Sequence, residues 1–201
     1  DYHAGLPLPD GSFVLAGNFT CINGHDTIGL AKFDGSGSIS SEFSSNIRFD
    51  GTVHAIVQDA RGGFLVGGEF NASTLAGNYR GLLRVHADGV IDERFNVPQL
   101  RDHWVTAMVK SASGQVYLSA RKLGEDIFRE EEDKQAIVYR LDSNFSIDDA
   151  FNQASTLSES IDYLALAQSG NVVVASKNRH TPKAWILSNT GSLVRELDIT
   201  A

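Results

Sequence analysis

Apolar and polar positions along this chain alternate in short runs that stop on turn residues, the pattern of β-strands joined by tight hairpins. The run Phe13-Val14-Leu15-Ala16-Gly17 follows the turn pair Asp10-Gly11, and the same text returns three times. Its later copies are Gly62-Gly63-Phe64-Leu65-Val66-Gly67-Gly68, Gly114-Gln115-Val116-Tyr117-Leu118-Ser119-Ala120 and Gly170-Asn171-Val172-Val173-Val174-Ala175-Ser176. The turn glycines 11, 62, 114 and 170 stand 51, 52 and 56 residues apart. A second apolar run follows each copy: Leu30-Ala31-Lys32-Phe33, Leu82-Leu83-Arg84-Val85, Val138-Tyr139-Arg140-Leu141 and Ala184-Trp185-Ile186-Leu187. A closing aromatic comes next at Phe43, Phe95 and Phe151, with Leu197 in its place in the last copy. Strands also open nine residues before the glycine, at Val53, Val105 and Ile161, and in a degraded copy at Tyr2.

Three anchors sharing one period make a repeat protein. The expected fold is an all-β β-propeller of four repeat units, each an antiparallel sheet of three to four strands. The units span 2–50, 53–103, 105–158 and 161–201 of a single repeat domain over 1–201. A period near 50 suits a propeller blade of roughly 40–50 residues better than a solenoid coil. Rings close with roughly four to eight blades, so four units make either a minimal ring or part of a larger one. The chain opens on Asp1-Tyr2 with neither Met nor a signal-peptide pattern. Further blades in a longer parent are therefore expected, ahead of a closed four-blade ring or pairing with another copy. An open ring would expose Leu6, Val14, Val172 and Val174. Gly17 and Gly68 fall inside strands, which marks close backbone approach or a bulge; they are expected at equivalent places where blades or strands crowd, with the approach of neighbouring sheets as the packing role. No helical period of useful length occurs beyond a weak stretch from Leu123 to Gln135.

Pro9 to Phe19 with Asn23-Gly24 and Gly29-Leu30-Ala31-Lys32-Phe33 resembles the delta-60 repeat. Gly62 to Phe70, Gly81-Leu82-Leu83-Arg84 and Ala87-Asp88-Gly89-Val90-Ile91-Asp92 to Phe95-Asn96 resemble it too. In the last unit Lys177 replaces the aromatic after the small residues. The resemblance implies a propeller repeat of large bacterial surface or secreted proteins and of some phage proteins. It implies an extracellular, cell-surface or virion setting, and it brings no catalytic residues.

Composition narrows the partners. With 25 acidic against 17 basic residues the net charge is −8, so a nucleic acid is not expected as ligand, because phosphate binding needs clustered Lys and Arg. A small local basic patch stays compatible with that balance. No stretch is long and apolar enough to span a membrane as a helix. The lone Cys21 excludes an intrachain disulfide and reads as a small residue at a strand end.

No nucleophile elbow or Walker loop is present. Gly35-Ser36-Gly37-Ser38 reads as a hairpin turn, and Asp148-Asp149 as a turn matching Asp92-Glu93. The histidines, His3, His25, His54, His86, His103 and His180, lack metal spacing and read as surface or loop residues; neither metal nor cofactor is expected. Phe19 and Phe70 read as core. Of the sequons Asn18-Phe19-Thr20, Asn71-Ala72-Ser73 and Asn144-Phe145-Ser146, the last two read as loops. The acidic insertion 125–134 reads as a solvated, mobile rim loop, with a partner contact or a Ca²⁺ site as alternatives. The candidate ligand-binding residues are Asp102, His103 and Trp104, in the loop entering the third unit, where an aromatic stacks on a sugar or else packs between blades.

Two functions fit this set. The first is a non-catalytic propeller module for binding or scaffolding, with a protein or glycan partner, in a larger secreted, cell-surface or virion protein. The second is a lectin-like, carbohydrate-binding propeller. A hydrolase or lyase acting on polysaccharide ranks behind both, since it needs a carboxylate pair facing a channel.

Overall fold

A computed structural model describes residues 1–45, 47–73, 77–123, 136–154, 156–157, 160–176 and 182–199. The predicted insertion 125–134 lies outside them. At each repeat the turn glycine is left-handed, with φ of +83° at Gly11, +81° at Gly62, +86° at Gly114 and +83° at Gly170. Its amide donates to the carbonyl of Leu8, Asp59, Ser111 or Ala167 at 2.9 to 3.4 Å, which closes the hairpin.

Residues 1–104 form one compact unit. Strands β1 (Tyr2–Pro7) and β2 (Phe13–Gly17) pair antiparallel, and a short ribbon of β3 (Cys21–Ile22) and β4 (His25–Asp26) precedes β5 (Leu30–Phe33). The first sheet has the order β1-β2-β5. Helix α1 (Ser41–Ser45) leads to a second sheet of β6 (Phe49–Gln58), β7 (Phe64–Ser73) and β8 (Asn78–Val85), in that order. Phe43, Phe49, Val53, Phe64, Phe70, Leu83 and Val85 join Val14, Ala16 and Leu30 in one apolar core. A buried Phe or Leu contributes about 1.5–3 kcal/mol, so this shared core is what holds the two sheets.

Residues 105–201 form the other compact unit. Strands β9 (His103–Lys110), β10 (Val116–Lys122), β11 (Ala136–Leu141) and β12 (Thr156–Leu157) make a four-stranded sheet, with α2 (Asp149–Ala154) before β12. Strands β13 (Tyr163–Leu166), β14 (Val172–Ala175), β15 (Lys183–Leu187) and β16 (Leu193–Asp198) make the last sheet. Its core holds Tyr117, Val138, Phe151, Ile161, Val172, Val174, Trp185 and Leu187. The fold is thus all-β and built of sequential antiparallel sheets.

Within each unit the same wedge recurs. Phe43 on α1 and Phe151 on α2 are 2% and 0% exposed. A Cβ on Gly89 would stand 2.6 Å from the Phe43 carbonyl oxygen, and one on Gly191 would stand 2.6 Å from that of Phe151. A hairpin glycine of one sheet therefore seats the closing aromatic of the sheet before it. Ser40 Oγ accepts the Phe43 amide at 3.4 Å and Asp148 Oδ1 accepts that of Phe151 at 3.2 Å. These caps start the two helices, so Asp148-Asp149 opens a helix where the sequence reads only a turn.

Several further expectations change. Val14, Val172 and Val174 are fully buried within their own units' cores, so they are not end-face residues. A Cβ on Gly17 would lie 2.4 Å from the Asp1 carbonyl oxygen, and one on Gly68 would lie 2.1 Å from that of Thr52. Both glycines face a register shift in the first strand of their own sheet, at Tyr2/Ala4 and Val53/Ala55. The crowding comes from that bulge, since an extra residue pushes the first-strand backbone toward the second strand. His3 and His54 lie in strands with ring centroids 5.2 Å apart, His3 at the surface as read, whereas His103 is buried on β9 and is neither a surface nor a loop residue. Phe70 is core as read, but Phe19 is half-buried. Asn71 lies in β7, whereas Asn144 sits in an exposed turn.

Candidate functional site

The second sheet departs from the first beyond Gly68. Strands β7 and β8 run on past a register shift, pairing Asn71 with Arg80, Ala72 with Tyr79 and Ser73 with Asn78. This extension forms one wall of a cleft of about 530 Å³ within the unit 1–104.

The opposite wall is the segment 93–102. In the first and third units the residues around the closing aromatic coil into α1 and α2. In the second unit Pro98 follows Val97, and a residue before proline is driven out of the helical region. Val97 has φ −121° and ψ 89°, and only a 3₁₀ turn, Pro98–Leu100, forms after it. Phe95 therefore stays half-buried on the cleft, whereas Phe43 and Phe151 are taken into cores.

Gly81 joins the two walls. Its φ is +68°, and a Cβ there would lie 1.9 Å from the His103 carbonyl oxygen. The backbone entering β9 thus runs hard against β8, between the cleft residues Arg80 and Leu82 and beside Asp102. Leu82, Val97 and Leu100 are buried and give the cleft an apolar floor.

Polar groups ring that floor. Arg80 Nε donates to Asn71 Oδ1 at 3.0 Å. Arg101 Nε and Nη2 donate to Asn96 Oδ1 at 3.2 and 3.1 Å. Ser73 Oγ donates to Asn78 Oδ1 at 2.9 Å, which fixes that amide at the rim. Tyr79, Glu93 and Asp102 complete the lining. Elsewhere in the fold Arg84 and Arg140 are held by carboxylates. Arg84 is 4% exposed and donates to Asp59 Oδ2 at 2.6 Å and to Asp92 Oδ2 at 2.8 Å. Burial opposes the Arg84 charge, and these hydrogen bonds outweigh it and hold its pKa above the ordinary arginine value. Arg140 Nε donates to Asp148 Oδ2 at 3.0 Å, and this bond, first among the causes, holds the Asp148 carboxyl below its ordinary range.

Of the three residues singled out from sequence, Asp102 is exposed and lines the cleft, His103 is buried, and Trp104 is half-buried on β9. The sequence reading missed Asn71, Asn78, Tyr79, Arg80, Phe95 and Arg101. Pro98 was the available signal, because it breaks the equivalence of Phe95 with Phe43 and Phe151. Among the described residues no group of three or more His, Cys, Asp and Glu side chains is placed to hold a metal ion. Among them, too, no helix is long and apolar enough to cross a membrane.

Comparison with known proteins agrees with this architecture. Residues 8–43 match the model of a family described as a domain of unknown function (DUF5122) beta-propeller. No curated protein matches the sequence. Among solved structures, the chain is similar to a putative gluconolactonase, with a TM-score of 0.53 and 10% identity over 98% of this chain and 63% of that one. It is also similar to the GH32 beta-fructofuranosidase BmSUC1 of Bombyx mori, with a TM-score of 0.47 and 11% identity over 98% of this chain and 49% of that one. The chain thus spans less than two thirds of the length of these structures. The family match and the likeness to the putative gluconolactonase support a propeller-like fold.

Proposed function

We propose that this chain is a non-catalytic β-propeller module that binds saccharide in the cleft between β8 and the segment 93–102. The observation that carries this reading is the lining: Tyr79 and Phe95, amide side chains and two guanidiniums converge over an apolar floor. Sugar rings offer apolar C–H faces for aromatic contact and hydroxyls for amides and charged groups. The four sheets are read as successive blades, in a delta-60-like propeller of a larger secreted, cell-surface or virion protein with further blades. That setting rests on the sequence resemblance.

A hydrolytic reading has one point in its favour, since Glu93 and Asp102 both line the cleft. Both are exposed, whereas a general acid at neutral pH is commonly raised by burial. Binding without turnover is the better account. The test is a glycan array probed with the full chain, followed by calorimetry on the strongest binder. Tyr79→Ala and Phe95→Ala should each weaken binding about 10- to 150-fold if burying the ring against the sugar is worth ~1.5–3 kcal/mol. Unchanged affinity in both variants, with intact melts, overturns the site. Cleavage of the bound glycan that Glu93→Gln or Asp102→Asn abolishes overturns the non-catalytic assignment.

A further inference from the structure

The two cleft arginines are held differently from Arg84 and Arg140. Arg84 and Arg140 are neutralised by Asp59, Asp92 and Asp148. Arg80 and Arg101 are anchored through Asn71 and Asn96, neutral amides that fix a guanidinium without cancelling its charge. Among the described residues neither has a carboxylate partner. The Arg80 bond uses Nε alone, which leaves both terminal amino groups for a ligand, and the Arg101 bonds leave Nη1. In a chain of net charge −8, two exposed arginines clamped by amides on one cleft are a local exception. A guanidinium's parallel N–H groups match a carboxylate in a bidentate fork.

We infer that the cleft selects an acidic saccharide, one whose ring carries an isolated carboxylate, received by Arg80 and Arg101 while Tyr79 and Phe95 take the ring face. The inference rests on the saccharide reading above and narrows it. An isolated carboxylate fits better than a polyanion. Glu93 and Asp102 stand on the same cleft, and they, with the chain's overall negative charge, repel a ligand that is charged along its whole length. An acidic peptide would satisfy the arginines but would leave the aromatic and amide lining without a matching partner.

The test uses an array on which each uronate- or sialate-bearing oligosaccharide is printed beside its carboxyl-reduced counterpart, with a polyglutamate control, and calorimetry on the best pair. Acidic members should bind at least about tenfold more tightly than their reduced counterparts, the scale of one charge-assisted hydrogen bond. Arg80→Gln and Arg101→Gln should each erase most of that difference, read within each variant as the ratio of its affinities for the acidic and the reduced member. Arg80→Lys should keep part of it. Equal binding of acidic and reduced members overturns this inference and leaves the saccharide reading standing. Polyglutamate binding as tight as the best acidic glycan overturns the choice of a sugar carboxylate. An array on which no saccharide binds overturns both readings together. Both arginines are exposed, and matching melts for the Gln variants tie any loss to the ligand.

Discussion

Gly81→Ala tests how the cleft is held. Alanine must take φ +68° at this position, and the left-handed region costs a non-glycine residue ~1–2 kcal/mol. The new Cβ must also leave a point 1.9 Å from the His103 carbonyl oxygen. That neighbour is backbone and cannot swing aside as a flexible side chain would, so β8 and the start of β9 must separate, at an overpacking cost of ~1–3 kcal/mol. The sum is ~2–5 kcal/mol. Gly11→Ala is the matched control, because its φ is +83° but no atom lies within 4 Å of the added Cβ. It should lose only the conformational ~1–2 kcal/mol. In urea, with a slope of ~2 kcal/mol/M, the Gly81→Ala midpoint should fall by about 1–2.5 M. Equal midpoints for the two variants would refute the close approach at His103, and with it the account of how the two walls are joined.

Two more predictions follow from the ion pairs. Asp59→Ala strips one carboxylate from the buried Arg84 and should cost ~3–5 kcal/mol, read by chemical denaturation, whereas Asp26→Ala on the exposed β4 should stay within ~0.5 kcal/mol. The lowered carboxyl of Asp148 makes stability depend on pH in a set direction. Between the folded and unfolded pKa values the unfolded chain binds more protons, so this contribution is present above pH ~4 and fades as pH falls through the lower folded value. Asp148→Asn should flatten the acid limb of a plot of stability against pH, and an unchanged limb counts against the pair with Arg140.

The sequence by itself determined the repeat, the hairpins and the order of the strands. Those features rest on local physics: glycine at a left-handed turn position, alternation on a pleated strand, and apolar runs that need a second sheet to cover them. Tertiary structure decided what the repeat could not express. Gly17 and Gly68 read as marks of close backbone approach or of a bulge, and only strand pairing decided between the two: each faces a bulge in its own sheet. Phe95 reads as a third copy of Phe43 and Phe151, yet Pro98 keeps its segment from coiling and leaves the ring on the cleft. Arg80 and Arg101 look like any surface arginines until Asn71 and Asn96 are found beside them. The cleft draws its walls from 71–82 and 93–102, and they are joined where the His103 carbonyl comes close against Gly81 of β8. Approach between segments distant in sequence is set by packing, and composition and periodicity carry no record of it.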